Sequence, residues 1–430
     1  MPRTVAEIRD PIHGYIHITE AERAIIDTPL FQRLRRIRQL AGAHLTYPGA
    51  QHSRFEHLLG AMHLAGLVAQ HLQDIVGLSE EEAAELRLAA LLHDVGHGPF
   101  SHLYEEVMTE KTGQTHEDLT RRILRETYLN TILADRGFDA EVLADLAIGR
   151  AHRRPPYLNE VIGGSLSVDI MDYLLRDSYF TGVEYGRVDV HRLITSFLVV
   201  EDHLALDRAA LYAYEALAIA RYAMFRAVYF HRTVRAAEIM LMKALELADA
   251  ELHYSDTSDL DRYLSLTDEA VLEELTHLPT DREELRRARR LAEDYRDRRL
   301  LKCVFELTVH RRSRLLERLF SQPRVRREIE GEIAEEAKVD EADVFLDVST
   351  TPSVPHTYER ERLTTLTLVT RGAEGDVVER VGIEQLPLLS SLTGYMDIIR
   401  VYTTREHRGR VAKAVEAFFG REGYATQVSM

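Results

Sequence analysis

Residues 93–102 run His-Asp-Val-Gly-His-Gly-Pro-Phe-Ser-His, three imidazoles and a carboxylate within ten positions. Neutral imidazole and carboxylate suit borderline divalent cations, and the adjacent His93 and Asp94 supply one of each. The Gly-Pro punctuation leaves the cluster on a helix end, where backbone and side chains meet a ligand. An arbitrary His-Asp dipeptide is more often a buried imidazole bonded to its neighbour, so the rest of a metal shell must come from elsewhere in the chain. Two segments offer it. His57, in Arg54-Phe55-Glu56-His57, opens a long apolar-periodic stretch in which Gly60, Ala61 and Gly66 allow another helix to approach closely. Asp169 opens a run to Asp177 in which positions 169, 173, 176 and 177 are spaced i, i+4, i+7, i+8, so a helix presents four polar groups on one face. Two imidazoles and two carboxylates leave positions for water and phosphate oxygens, and a cation in such a shell brings bound water towards a pKa of ~7.

These residues need a rigid frame, and the chain is long enough to build one. It has 430 residues, 45% of them apolar, as expected of a globular protein with a sizeable core. Arg187 to Leu278 contains neither Gly nor Pro, nor does Thr280 to Gln322, and apolar positions mostly recur at helical spacing, so the body reads as all-α. Asp202–Leu206 alternates and predicts a small hairpin arm. Leu363–Thr370 and Val377–Val381 read as strands flanking a glycine-bearing turn over 371–376, Asp397–Tyr402 as a third strand and 407–420 as a closing helix. The expected class is therefore mainly α with a smaller C-terminal α+β lobe, divided as 1–250, 251–324 and 325–430. Lysine and arginine number 54 against 70 acidic residues, a net charge of −16 that disfavours nucleic acid and anionic lipid. A single cysteine, Cys303, excludes an internal disulfide; with no secretory or membrane-spanning stretch, a cytoplasmic location is expected.

A family resemblance rests on motifs taken in order: Asp10-Pro11-Ile12-His13-Gly14, the stretch 26–35, Gln39-Leu40, Tyr47-Pro48-Gly49-Ala50, Arg54 to His57, the 93–102 cluster and Asp169 to Asp177. Together they resemble the HD-domain deoxynucleotide triphosphohydrolases, in the branch of the sterile-alpha-motif-and-HD-domain protein and its bacterial relatives. The likeness extends over Leu264–Asp268 and Arg299–Cys303, and with nine residues before Asp10 no sterile-alpha-motif domain is expected ahead of it.

The resemblance implies an HD-domain helical body and metal-dependent hydrolysis of a deoxynucleoside triphosphate to deoxynucleoside and triphosphate. The metal ligands would be His57, His93, Asp94 and Asp169, with Mg, Mn, Fe, Zn and Ni not distinguished. His97, His102 and His116 exceed what the metal needs and are candidates for acid-base work, worth about 10²–10⁴-fold if one protonates the departing 5′-oxygen. The position of the carboxylate that orients such a histidine is Glu105, where the human-type pattern has Asp. By similarity, Arg54, Arg221 and Tyr229 complete a triphosphate and sugar pocket; Arg221, Phe225, Tyr229 and Arg232 are spaced to share a helical face. Tyr173 and Asp177 match sugar-reading positions, and Gln39 with Leu40 the pair that disfavours a 2′-hydroxyl. Asp27, Gln32 and Arg35 match a guanine-reading activator site at a subunit interface, which implies GTP or dGTP as activator and a homo-oligomer, with a tetramer favoured. Spacing alone makes Asp27-Thr28-Pro29 a helix cap and first turn.

Two departures keep alternatives open. Ile170 stands where the family's mammalian-type members have a phosphate-binding lysine, and no lysine precedes Asp10, where Ala6 and Glu7 lie. The alternatives are an HD phosphohydrolase for another nucleotide or phosphate ester, and a non-catalytic nucleotide-sensing or nucleic-acid-binding assembly.

Overall fold

Helices dominate the structure, a computed structural model that describes residues 3–309, 322–352, 365–373, 375–382, 385–390 and 395–420. The chain forms two units that interleave in sequence, whereas the expected partition was consecutive. The first comprises Met1–Met224, Leu252–Val271 and Val354–Ser391, and the second Phe225–Glu251, Leu272–Ser353 and Leu392–Met430.

The first unit opens with an antiparallel hairpin, β1 (Thr4–Asp10) and β2 (Gly14–Thr19), that the sequence reading missed. Then come α1 (Glu20–Ile26), α2 (Pro29–Gln32), α3 (Arg54–Val76), α4 (Glu80–Leu92), α5 (His102–Thr112), α6 (His116–Glu126), α7 (Tyr128–Ala134), α8 (Ala140–Ala147), α9 (Pro156–Gly163), α10 (Val168–Thr181), α11 (Val190–Ile194) and α12 (Leu211–Met224). Local chemistry sets the ends of the helices that matter most. Thr115 caps α6 reciprocally with Asp118, Ser167 accepts from the Ile170 N–H at the start of α10, and α3 and α10 end on left-handed Gly77 and Gly182. The α2 cap is Thr28, whose hydroxyl accepts from the Phe31 N–H.

Gly60 lets α10 approach α3, as the small residues there predicted. A Cβ at this position would collide with the Asp172 carboxylate and the Arg176 guanidinium. The predicted arm is present as β3 (Phe197–Val200) paired with β4 (His203–Asp207). β7 (Thr365–Thr370) joins β4 in parallel and β8 (Val377–Gly382) extends the sheet, so these strands belong to the first unit. Of the predicted strand and turn, residues 363–364 and 374 lie outside the described residues.

In the second unit β5 (Lys302–Val309) and β6 (Val344–Pro352) flank β9 (Tyr395–Thr403), all antiparallel. Helices Pro323–Ala337 and Arg408–Phe419 contribute Ile333, Ala334, Val411 and Val415 to a core with Phe305, Leu346 and Val401. Two expectations are corrected here. Lys302–Val309 is a strand, its β-branched and aromatic residues pairing along β9 where a helix was expected; residues 310–321 lie outside the described residues. The proposed common face of Arg221 to Arg232 is interrupted, because Phe225–Tyr229 forms a π-helical turn in which the Phe230 N–H donates to the Phe225 carbonyl at 2.7 Å. Phe225 meets the rings of Tyr229 and Phe230 edge-on at 4.8 and 5.4 Å.

Overpacking the contact between α3 and α10 should be costly: Gly60→Ala is expected to lose about 1–3 kcal/mol of stability. Gly409→Ala, with open space around its Cβ, should be close to neutral. Urea titrations of both variants check this, and equal midpoints would show that the contact yields freely.

Candidate metal centre

Four side chains from three segments converge in the first unit. His57 lies in the first turns of α3, His93 is the C-cap of α4, Asp94 follows it, and Asp169 is the second residue of α10. His57 Nε2 lies 3.1 Å from Asp169 Oδ1 and 3.9 Å from Asp94 Oδ2, while His93 Nε2 lies 3.6 Å from Asp169 Oδ1 and 3.5 Å from Asp94 Oδ1. His57, His93 and Asp94 can each offer a ligand atom, all within 4.8 Å of one another.

The decisive detail is that His57 Nε2 and His93 Nε2 are both buried and neither has a hydrogen-bond partner among the described residues. Their other ring nitrogens are engaged, His57 Nδ1 with Asp172 at 2.8 Å and His93 Nδ1 with the Ala90 carbonyl at 2.9 Å. Nδ1 of each ring therefore donates, which leaves Nε2 with a lone pair aimed at the carboxylates. Two such lone pairs beside two carboxylates form a donor set that fits a divalent cation, and the Asp172 contact is the outer-shell support such ligands use.

Without a cation the carboxylates attract protons instead. Burial disfavours the charged form of His57, but Asp169 and Asp172 outweigh it and raise its pKa to about 10. His93 is raised in the same way, against burial, by Asp94 and Asp169. Burial likewise penalises ionised Asp94, yet His93, Arg54 and His97 hold it well below the usual carboxylate range. A cation would compete with protons for these atoms, so its affinity should fall as pH falls.

A second imidazole group adjoins the first through Asp94. His97 Nε2 and His116 Nε2 lie 3.5 and 3.8 Å from Asp94 Oδ1, and their rings stack at 3.9 Å. Glu105 binds His116 Nδ1 at 2.6 Å and His102 Nδ1 at 3.0 Å, so the arm one methylene longer than aspartate reaches both rings. His102 is largely exposed and His97 fully buried. Burial opposes charge on His116, but Glu105 overrides it and raises the pKa; burial, then Arg54 and His116, push His97 far down. The loop carrying His97 is held by Arg33, which donates to the His97 carbonyl, by Tyr263, which donates to the Gly96 carbonyl, and by Thr120, which accepts from the Gly96 N–H. Phe100 and Ser101 adopt left-handed φ values of 56° and 55°, and Asp268 pins the former by accepting its N–H at 2.7 Å.

Arg54 is buried, pairs closely with Asp94 and donates to Ser101 Oγ at 2.8 Å. The Tyr173 hydroxyl accepts from Arg221 Nε at 3.2 Å, Asp177 accepts from His52 at 2.8 Å, and the side-chain oxygen of Gln39 is buried without a partner among the described residues. Leu40 is half-buried nearby in sequence, Ile170 is buried, and Tyr229 belongs to the second unit. The polar stripe on α10 divides: Arg176 turns with Asp172 away from Asp169 and binds Asp10. Asp27 and Arg35 are exposed, Asp27 pairing with Arg23 at 3.3 Å and Arg35 with Gln32 at 2.7 Å. The sequence reading gave no role to His13, Arg33, His52, Ser101, Asp172 or Asp268. Of these only Asp172 carried a readable signal, its i, i+4 spacing to Arg176.

Comparison with known proteins accords with this geometry. Residues 54–177 match the HD domain and residues 188–429 the HD associated region. The uncharacterized protein YwfO of Bacillus subtilis is 39% identical over 253 residues, 57% of this chain and 56% of that protein. The deoxynucleoside triphosphate triphosphohydrolase SAMHD1 homolog of Dictyostelium discoideum is 32% identical over 320 residues, 70% of this chain and 60% of that protein. The chain thus spans little more than half the length of the curated relatives it matches. A crystal structure of a hypothetical protein from Aquifex aeolicus superposes with a TM-score of 0.75 at 30% identity, covering 95% of this chain and 99% of that one.

The donor set should take up one divalent ion per chain, and alanine at His57, His93, Asp94 or Asp169 should abolish tight uptake while His116→Ala retains it. Elemental analysis after dialysis measures this. Two ions per chain would place a metal among His97, His102, Glu105 and His116, whose ligand atoms also lie within 4.8 Å of one another.

Proposed function

This chain belongs to the HD-domain family that carries an HD associated region, and from that premise we propose that it hydrolyses deoxynucleoside triphosphates to deoxynucleoside and triphosphate. The coarser activity, a metal-dependent phosphohydrolase, follows from the family and the donor cluster. The observation that carries the finer reading is the junction of the two groups: unpartnered Nε2 atoms of His57 and His93 on one side of Asp94, and the His116–Glu105 pair on the other. A divalent ion bound by His57, His93, Asp94 and Asp169 would supply Lewis acidity and activate water.

In this reading water displaces the nucleoside 5′-oxygen at the α-phosphorus. His116, oriented by Glu105 and favoured in its protonated form, gives its proton to that oxygen. His102, sharing Glu105, stands at the exposed side, and buried, neutral His97 stacks on the His116 ring without adding charge. Arg54 and Arg221 face phosphate oxygens, Tyr173 and Asp177 read the sugar, and Gln39 with Leu40 disfavours a 2′-hydroxyl. A site that satisfies a substrate hydroxyl rejects analogues lacking it more strongly than an apolar pocket can. Asp27, Gln32 and Arg35 would read a guanine nucleotide at the interface of a homo-oligomer, a tetramer in this reading. No helix among the described residues is long and apolar enough to cross a membrane, and the reading places the enzyme in the cytoplasm. Burial of Ile170, where a lysine would grip phosphate, favours one second reading, hydrolysis of an ester with a shorter phosphate chain.

Incubation with each deoxynucleotide followed by product separation tests the reading; triphosphate plus deoxynucleoside is expected. His116→Ala should keep the metal and lose about 10²–10⁴-fold in kcat. Release of orthophosphate or pyrophosphate instead would select the second reading.

If the guanine site operates, GTP or dGTP should raise both molecular mass and the hydrolysis of dATP, because a ligand that binds only the assembly favours it by mass action. Asp27→Ala and Arg35→Ala should blunt both responses in light scattering and rate assays on the same samples. Constant mass and full activity without any guanine nucleotide would refute it.

A further inference from the structure

We propose that Asp10 and His13, at the turn of the N-terminal hairpin, are positioning residues that fix Asp172 and through it the metal-facing imidazole of His57; the proposal rests on the reading of His57 as a metal ligand. The Asp-Pro-Ile-His-Gly segment joins β1 to β2, and Gly14, at φ 79°, closes a turn in which Asp10 pairs with Gly14 across the ladder. Asp10 Oδ1 accepts both the Ile12 and the His13 N–H at 2.9 Å, which sets the turn and aims the His13 ring inward. His13 Nε2 then meets Asp172 Oδ1 at 2.7 Å, across 159 residues of sequence. The other Asp10 oxygen accepts from Arg176 Nη1 at 2.8 Å.

Asp172 is thus held from three sides. Arg176 grips it with Nε on Oδ2 and Nη2 on Oδ1, both at 2.9 Å, His13 also engages Oδ1, and Oδ2 also accepts from His57 Nδ1 at 2.8 Å. Every side chain in the set is nearly or wholly buried. Arg176 alone would neutralise the carboxylate. His13 adds to the restraint of that two-point contact, since with Oδ1 engaged on both flanks the carboxylate is held further from rotating about its χ2, and rotation would release His57. A ligand imidazole loosened in this way loses both its tautomer and its aim, and outer-shell contacts of this kind are worth about 10–100-fold in metal affinity. His63, whose ring centroid lies 5.1 Å from that of His13, is driven to its neutral form, because burial and then His13 and Arg87 push its pKa down to about 4.

The test compares His13→Gln, whose amide nitrogen reaches Asp172, with His13→Asn, whose shorter arm does not, both in the full chain. Metal-free wild type, both variants and His17→Ala, an exposed change on the same hairpin, are titrated with cobalt(II) while the visible spectrum of the bound ion is recorded. Wild type, His17→Ala and His13→Gln should bind one ion with similar affinity and the same spectrum. His13→Asn should bind about 10–100-fold more weakly, with shifted bands that report an altered ligand field. Asp10→Asn should move in the same direction. If wild type binds cobalt and His13→Asn matches it in affinity and spectrum, the positioning role is wrong. Wild type that takes up no cobalt overturns the metal reading of His57 itself, a result distinguishable from the first.

Discussion

Two carboxylates taken out of water within one helical unit, those of Asp94 and Asp172, with the partly exposed Asp169 beside them, constrain everything around them. A buried charge persists only if donors surround it. Asp172 is met by Arg176, His13 and His57, and Asp94 by Arg54 with three imidazoles at 3.5–3.8 Å. Asp169 differs. The imidazole nitrogens of His57 and His93 approach it without hydrogen-bond alignment, so its corner of the cluster is the least satisfied part of the site. A divalent cation would resolve that imbalance at one point, because it accepts lone pairs from the imidazoles and the carboxylates alike.

The side chains that do this all come from helix ends. His57 lies in the first turns of α3, His102 and His116 begin α5 and α6, Asp169 is second in α10, and His93 closes α4. Short capping interactions fix the starts of α3, α6 and α10 locally, and the partial positive charge of a helix N-terminus favours carboxylates and phosphate oxygens. The long-range contacts need only bring the ends together. Gly60 and Gly96 serve this, the first admitting the Asp172–Arg176 pair and the second admitting the start of α6, and either would be blocked by a single Cβ.

Much of this was legible in the sequence, for physical reasons that also mark where legibility stops. The 93–102 cluster and the first turns of α3 and α10 could be read because ligand types and helical spacing are local properties. Gly60 could be read as a point of helix approach for the same reason. The partner of Glu105 could be placed but not its reach, which depends on how α5 meets the start of α6. His13, Arg33, His52 and Asp268 act across long sequence separations and carried no local signal, since a buried polar pair is defined by both members. The π-helical turn at Phe225–Tyr229 and strand Lys302–Val309 were missed because ring packing and pairing along β9 outweighed helical periodicity. The sheet joining β4 to β7 spans 162 residues from Leu206 to Leu368, beyond any periodicity argument.

The stacked rings of His97 and His116 explain how so many imidazoles share one site. At 3.9 Å between centroids they cannot both carry a proton without strong repulsion, and the surroundings assign the charge. His97, buried and facing Arg54, is pushed towards the neutral form, while His116, bonded through Nδ1 to Glu105, is pushed towards the protonated one. Neighbouring groups whose pKa values are driven apart in this way have distinct acid and acceptor roles. Asp94 touches both rings as well as His93, so the charge on this pair and the occupancy of the metal centre are coupled through one carboxylate. A cation that drew on Asp94 would weaken the carboxylate's hold on the His116 proton.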